Sequence, residues 1–385
     1  MTARRPDQSP GERSSWLDPA TAVALSALPA ELRRAALSRL EAASDAAGSP
    51  PLASILETVV NADPRAAQRM AEQALTAAAL DLSAAGATGD QAVTLGSQEY
   101  PSGLAEIPDP PFLLWVRGCR EALLAPAVAI VGSRAASPYA LEMAATLAGD
   151  LTRLGLVVVS GLARGVDGAA HDAALVRGRT VAVLGCGVDR VYPPEHADLA
   201  GRIARAGALV SELPPGRPPI ASHFPRRNRL ISGLSWAVVI VEASERSGSL
   251  ITARCALEQG REVMVVPGNA LTGRNRGGHA LLRDGARLVE SAAEVVEEIR
   301  PMIGSRWPDL ELSAGMSAGP SAGGETPGGV TALLAALPPG EAVDVDTLVA
   351  RTGEDARALL HQMLSLELEG RVFRAGGGRF VRAKR

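Results

Sequence analysis

From Ala127 onward the chain repeats one pattern, a short Val-rich apolar run closed by glycine or a small polar residue and followed by a stretch with helical spacing. The runs occupy 127–134 (AVAIVGSR), 155–165 (GLVVVSGLARG), 180–187 (TVAVLGCG), 207–216 (GALVSELPPG), 236–244 (WAVVIVEAS), 261–269 (REVMVVPGN) and 286–291 (ARLVES). Amphipathic stretches lie between most of them, at 138–153, 167–177, 196–205 and 249–259. A strand buried on both faces reads as a continuous apolar run, and an intervening helix returns the chain for parallel pairing. The pattern predicts an α/β domain over residues 99–300, doubly wound, with a mainly parallel sheet of six or more strands.

The flanks follow other rules. Residues 20–85 are rich in Ala and Leu with helical spacing at Leu25, Leu28, Leu32 and Leu37, broken by Pro29, Pro50, Pro51 and Pro64, which predicts a small helical domain over 16–98. Residues 301–329 are dense in Gly, Ser, Ala and Pro and predict a flexible linker. Beyond it, 331–338, 344–353 and 354–370 have helical spacing and 371–382 reads as a hairpin turned by Gly376, Gly377 and Gly378. Three helices followed by a hairpin predict a winged helix over 330–385.

Composition narrows the chemistry. Of the 39 basic residues of this 385-residue chain, Lys384 is the single lysine, next to the C-terminus. A Walker A loop and a Schiff-base enzyme each need a lysine amine in the body of the protein, so both are excluded. Cys119, Cys186 and Cys255 are far apart, without the spacing of a zinc knuckle, and the histidines form no HExxH. No metal or organic cofactor is expected. The polar segment Met1–Trp16 lacks a signal-peptide core and no long apolar span occurs, so a cytoplasmic protein without membrane attachment is expected. Charge is uneven: residues 1–125 hold 10 basic and 15 acidic groups, residues 126–290 hold 19 and 14. An anionic partner would be drawn to the middle of the chain.

Ligands of a doubly wound sheet bind beyond the carboxyl ends of its strands, where helix N-termini present free N–H groups. Four glycine-rich stretches fall at such ends: Gly132-Ser133-Arg134, Gly161 to Gly165 with Arg164, Gly185-Cys186-Gly187, and Ser247-Gly248-Ser249 running to Thr252. Together they predict a phosphate-binding rim. A dinucleotide fingerprint is not among them, because Gly185-Cys186-Gly187 is followed by Arg190 where the third glycine would stand. The segment Ser222 to Arg229 places Phe224, one of four Phe in the chain, beside Arg226, Arg227, Asn228 and Arg229. Cations for phosphates and one aromatic face for an unstacked base are what a single strand of nucleic acid requires. Asp167, His171, Asp172, Glu195, His196, Glu212 and Glu242 are the candidates for acid–base work, with Asp167 and His171 four apart on one helix face. Spacing alone assembles no nucleophile, base and orienter from them.

Read together, YPSGLAEIPDPPFLLWVRG (100–118), AIVGSR (129–134), SGLARGVDGAAH (160–171), LGCGVDRVYPPEH (184–196), SELPPG (211–216), HFPRRNRLISGLS (223–235), SGSLITA (247–253), PGN and GGHALLRDGA resemble the DNA-processing protein A family, DprA or Smf, in family order. The resemblance implies an extended Rossmann-like domain, flanked by a SAM-like helical domain and a winged helix. It implies a protein that binds single-stranded DNA without hydrolysing nucleotide, protects incoming DNA in natural transformation, dimerises through the Rossmann-like domain and loads RecA. By motif, Ser133 and Arg134 would hold a phosphate with Gly132 allowing close approach. Phe224 would stack a base, Arg227 and Arg229 would shape the groove, and Ser247, Gly248, Ser249 and Thr252 would line an adjoining anion pocket, with Gly161, Arg164 and Gly165 on the same rim. Two departures stand out. Residues 218–222 read Pro-Pro-Ile-Ala-Ser where many members carry a basic residue, so Arg217 or Arg226 would supply that contact, and Leu28–Leu32 lacks the Gly-x-Gly hairpin of the family's N-terminal domain. The competing readings are a phosphoribohydrolase-type enzyme, whose PGGxGTxxE motif is replaced here by RSGSLITA without the Glu, and a regulator acting through the winged helix alone.

Overall fold

The computed structural model describes residues 17–43, 50–303, 336–338, 343–352, 359, 363, 366–367, 371–375 and 379–383. The chain divides into two compact units, 1–311 and 312–385. The first opens with helices α1 (Pro19–Ser26), α2 (Ala30–Ala43), α3 (Leu52–Val60) and α4 (Pro64–Thr88). Asp18 and Asp63 cap α1 and α4 through backbone N–H groups of their first turns, each with proline at the next position. Proline at that position gives up no helical hydrogen bond, which is why these prolines start helices instead of breaking them.

Strands β1 (Gln91–Thr94), β2 (Leu113–Gly118), β3 (Ala127–Val131), β4 (Val157–Ser160), β5 (Thr180–Val183), β6 (Ala208–Ser211), β7 (Ala237–Ile240), β8 (Glu262–Val265) and β9 (Arg287–Leu288) form one sheet in the order β1-β2-β6-β5-β4-β3-β7-β8-β9. From β6 to β9 all pairings are parallel, and β1 and β2 extend the edge antiparallel. A short helix α5 (Ser102–Ala105) precedes β2. The crossovers run through α6 (Pro138–Arg153), α7 (Val166–Arg177), α8 (Ala197–Ala206), α9 (His223–Gly233), α10 (Ser249–Glu258) and α11 (Arg276–Arg283), and α12 (Ala292–Ile303) closes the unit.

The sheet is covered on both sides, which explains the uninterrupted apolar runs. Val128 and Ile130 of β3 face α6, α7 and α12, while Ala127, Ala129 and Val131 face the layer that holds α9 and α10. That second layer is continuous with the N-terminal helices: Leu25, Leu40 and Ile55 belong to the same buried cluster as Leu113, Leu230 and Ala253. The helical segment marked off at 16–98 therefore shares its core with the sheet, and its last part supplies β1. The expected linker begins inside α12, which runs to Ile303, and from residue 304 to 329 it lies outside the described residues.

The second unit is a winged-helix domain. Strands β10 (Val343–Asp344), β11 (Val372–Ala375) and β12 (Arg379–Arg382) pair antiparallel in the order β10-β12-β11, with a helix at Val345–Thr352. Leu337, Leu348, Leu359, Met363, Leu366 and Phe380 are buried together. Leu359, Met363 and Leu366 are spaced four and three apart, the stripe of a helix packed by one face. The expected helix over 331–338 lies mostly outside the described residues, as does the hairpin turn 376–378. Among the described residues no helix is long and apolar enough to cross a membrane.

Candidate functional site

The chain winds outward from β3 through β4 and β5 to β6, then returns by α9 to add β7 on the other edge of β3. At such a switch point the connections leaving two neighbouring strands diverge and open a crevice. A cleft of about 670 Å³ lies there. Gly132, Ser133 and Arg134 enter it from the end of β3, Phe224, Arg227 and Asn228 from α9, and Ser247, Gly248, Ser249 and Thr252 from the start of α10. Segments more than a hundred residues apart in the sequence thus share one wall.

Phe224 is the centre of the site. The segment 222–229 enters the fold as a helix start, not an extended loop, with Pro225 in the first turn of α9. The half-buried ring rests against Gly185, where any Cβ would come within 3.0 Å of the ring. The missing side chain of Gly185 makes room for the aromatic ring. The Arg134 guanidinium lies 5.9 Å and that of Arg227 6.0 Å from the ring centroid, and Tyr192 stands 5.4 Å away, tilted by 50°. Cations at this distance are drawn to the negative face of an aromatic ring. Arg134 and Tyr192 are exposed, so this cluster opens to solvent. In the sequence Tyr192 carries a single signal, that it is one of three tyrosines, placed in the loop after β5.

Arg227 works from below. It is buried, donates Nη1–H to the Gly161 carbonyl at 2.7 Å, and also donates to the Val183 carbonyl. Burial pulls its pKa down to about 10, against the attraction of Asp167. Asp167, equally buried, accepts the Gly161 N–H at 3.1 Å and the Ala163 N–H at 3.3 Å. Burial raises its pKa, while Arg227 and these two N–H groups hold it down. Arg227 and Asp167 thereby fix the loop after β4 against the end of β5 and stiffen the floor under Phe224.

The loop walls are stitched in the same way. Gly165, at φ +73°, brings its backbone so close to Ser133 that a Cβ would stand 2.3 Å from the Ser133 carbonyl, which accepts the Val166 N–H at 3.2 Å. Such a φ suits glycine because it has no Cβ to clash. Asn228 donates to the Gly248 carbonyl at 3.3 Å, and the Ser247 and Ser249 hydroxyls lie 2.7 Å apart at the head of α10. Ser249 and Thr252 are buried in the wall, while Gly248 is exposed at its rim. Helix N-termini attract anions because their first N–H groups have no partner within the helix.

Three of the expected arginines stand apart from the main cleft, and neither Gly161 nor Gly165 lines it. Arg164 is exposed on the neighbouring rim with Gly161 and pairs with Glu195. Arg226 is exposed and faces a shallow depression toward Glu212 and Leu213. Arg229 points the other way, into a buried cluster: it meets Glu212 at 2.8 Å and Asp109 at 3.3 Å, and Arg33 of α2 meets the same two acids at 3.2 and 3.7 Å. The sequence could not show this, since the four residues come from separate segments.

The acid–base candidates are each held by a neighbour. Besides Asp167, Glu195 and Glu212, Asp172 pairs with Arg202, and Glu242 accepts the Ser137 hydroxyl at 2.6 Å and its N–H at 3.2 Å. His171 does not meet Asp167; its Nδ1–H donates to the Thr180 hydroxyl at 2.7 Å, which donates to the Val158 carbonyl at 2.6 Å, and burial lowers its pKa to about 3. His196 reaches the Leu162 carbonyl at 3.0 Å through Nδ1. Cys186 is buried, which raises its thiol pKa to about 11.

Known proteins resemble this chain over both of its units. The profile of the family described as DNA recombination-mediator protein A matches residues 91–300, and that of the DprA winged helix domain matches 320–378. Protein Smf of Escherichia coli is 42% identical over 292 residues, 75% of this chain and 76% of the relative. The DNA processing protein DprA of Streptococcus pneumoniae is 45% identical over 200 residues, 52% of this chain and 71% of its own. The X-ray structure of DprA from S. pneumoniae superposes with a TM-score of 0.65 at 35% identity, covering 72% of this chain and 96% of that one. DprA from Helicobacter pylori, in a structure concerned with its single-stranded DNA binding mode, gives 0.50 at 33%, covering 54% and 95%. With its Rossmann-like sheet and its winged helix, the chain belongs to the DNA recombination-mediator protein A family, DprA/Smf.

Proposed function

We propose that this chain binds single-stranded DNA in the cleft between the ends of β3 and β7, and that it acts as a mediator without chemistry of its own. The observation that carries this reading is the Phe224 cluster: a half-exposed ring, with Arg134 over it, beside the N-terminus of α10. A guanidinium 5.9 Å from the ring centroid is a planar cation near where a base would lie. When a base takes that place, Arg134 is free for the adjoining phosphate, and the Ser247 and Ser249 hydroxyls at the head of α10 stand beside the next. The ring needs an unstacked base, which duplex DNA does not present. The single-stranded DNA binding mode described for the H. pylori relative supports the same reading.

Membership of a recombination-mediator family supports a further step, the handing of bound strands to RecA, by a homodimer formed through the Rossmann-like domain in the cytoplasm. A hydrolase reading needs a carboxylate free to act on a bound nucleotide. Glu212 is held between Arg33 and Arg229, and Glu242, positioned by two bonds from Ser137, lines a separate cavity outside the Phe224 cleft, an arrangement that favours binding over catalysis there.

The test is fluorescence anisotropy of a labelled 20-mer, single-stranded and annealed, across a salt titration. Tighter binding of the single strand at every salt concentration is expected. Equal affinity for both forms would overturn the reading, and release of free base from AMP by the purified protein would support the hydrolase instead.

A further inference from the structure

A second cavity, of about 530 Å³, lies beside the first, over the ends of β7 and β8. Only Ala136 separates Ala135 of the first cleft from Ser137 of the second, and only Ala243 separates Ser244 from Glu242. The two cavities are therefore neighbours at the carboxyl ends of the parallel strands β3, β7 and β8, which stand about 4.7–4.9 Å apart.

Its walls differ from those of the first cleft. Glu242 is only 6% exposed, and the two hydrogen bonds it accepts both come from Ser137. An ionised carboxylate has about four acceptor positions, so roughly half of them remain for a ligand. Because Glu242 already supplies a carboxylate to the head of α6, this cavity does not repeat the phosphate site at the head of α10. Tyr139 gives it a ring that is 47% exposed and fixed by a bond from its hydroxyl to the Pro267 carbonyl at 3.0 Å. Arg274 stands exposed on the rim, with Nη1 anchored on the Ala135 carbonyl at 3.0 Å. An aromatic face, an acceptor in the wall and a cation on the rim correspond to the face of a base, its donor edge and its phosphate.

We propose that this cavity is the next base subsite along the strand held in the first cleft, and that Glu242 makes it favour bases with an exocyclic amino group over thymine. The inference rests on the proposed single-strand binding. Cytosine presents an N4 amino donor where thymine presents the O4 carbonyl, and a carboxylate attracts the first and repels the second. Stacking on Phe224 tolerates any base. Base preference in this protein therefore arises at Glu242, while Tyr139 contributes affinity.

The experiment compares labelled dC20 and dT20 at pH 8 with the full chain. The wild type is expected to bind dC20 about tenfold more tightly, the order of one good base-edge contact. In Glu242→Gln the amide oxygen can still accept the Ser137 N–H while the amide N–H donates to the Ser137 hydroxyl oxygen, and the side chain presents a donor as well as an acceptor, so the ratio should fall to within about twofold, the carboxylate's selectivity being lost. Tyr139→Ala, at an exposed ring, should weaken both oligonucleotides about tenfold, the loss of one stacked base. A wild-type ratio near one, or an unchanged ratio in Glu242→Gln, overturns the subsite. Binding of free CMP without any dC20 preference would make the cavity a mononucleotide site and also overturn it. Failure to bind either oligonucleotide would instead overturn the single-strand reading on which it rests.

Discussion

Arg229 donates to Glu212 at 2.8 Å inside a buried cluster that also holds Arg33 and Asp109, so an arginine from the most basic segment of the chain joins the N-terminal helices to the sheet. Its neighbour two residues back, Arg227, fixes the floor of the cleft. Removing Arg229 leaves Arg33 alone against two acids in a largely buried site, at roughly 1–3 kcal/mol. Arg229→Ala should lower unfolding free energy by that order in a urea titration, whereas Arg226→Ala, at an exposed side chain, should leave it nearly unchanged.

Phe224→Ala should weaken single-strand binding by about 1–3 kcal/mol, the loss of one base-stacking surface. Duplex affinity should not move, because a paired base cannot reach the ring. Anisotropy with both forms checks this, and equal losses on the two would show that the ring supports the cleft without touching a base.

Arg134→Ala should act on salt dependence. One phosphate contact to a single strand contributes about 0.7 to the slope of log affinity against log salt. The variant should lose about that much slope, while Arg227→Ala should instead lower the thermal midpoint, since Arg227 bonds to the Gly161 carbonyl within the protein. An unchanged slope in Arg134→Ala would place the phosphate elsewhere on the rim.

His171 makes the fold sensitive to acid. Burial lowers its pKa from 6.5 to about 3, so as pH falls below 6.5 the unfolded chain takes up the proton before the folded one. Stability present above pH 6.5 is therefore lost progressively down to about pH 3, at about 1.4 kcal/mol per pH unit while one proton is involved. His171→Asn, which keeps a donor toward the Thr180 hydroxyl, should be less stable at neutral pH but show a shallower decline between pH 6 and about 4. Denaturant midpoints measured at each pH would give the two slopes.

The alternation of strand and helix was legible in the sequence, because a strand buried on both faces has to be apolar at successive positions, and Val128 to Val131 form a short run rich in β-branched residues and closed by Gly132. The sequence also marked the loops that form the cleft, since Gly132 and Gly161 close apolar runs and Gly248 opens a helix where a doubly wound sheet binds its ligands. It could not say which of Arg226, Arg227 and Arg229 faces solvent. On α9 consecutive side chains are turned about a hundred degrees apart, so neighbours in sequence meet different surroundings, solvent for Arg226, backbone carbonyls for Arg227 and two acids for Arg229. Nor could it join residues 16–98 to the sheet, because Arg33, Asp109, Glu212 and Arg229 have no spacing that relates them and meet only when α2 packs beside α9. Periodicity carries information about the neighbours of a residue along its own element. The partners that decide whether a charge binds DNA or holds the fold come from other elements, and only the tertiary structure supplies them.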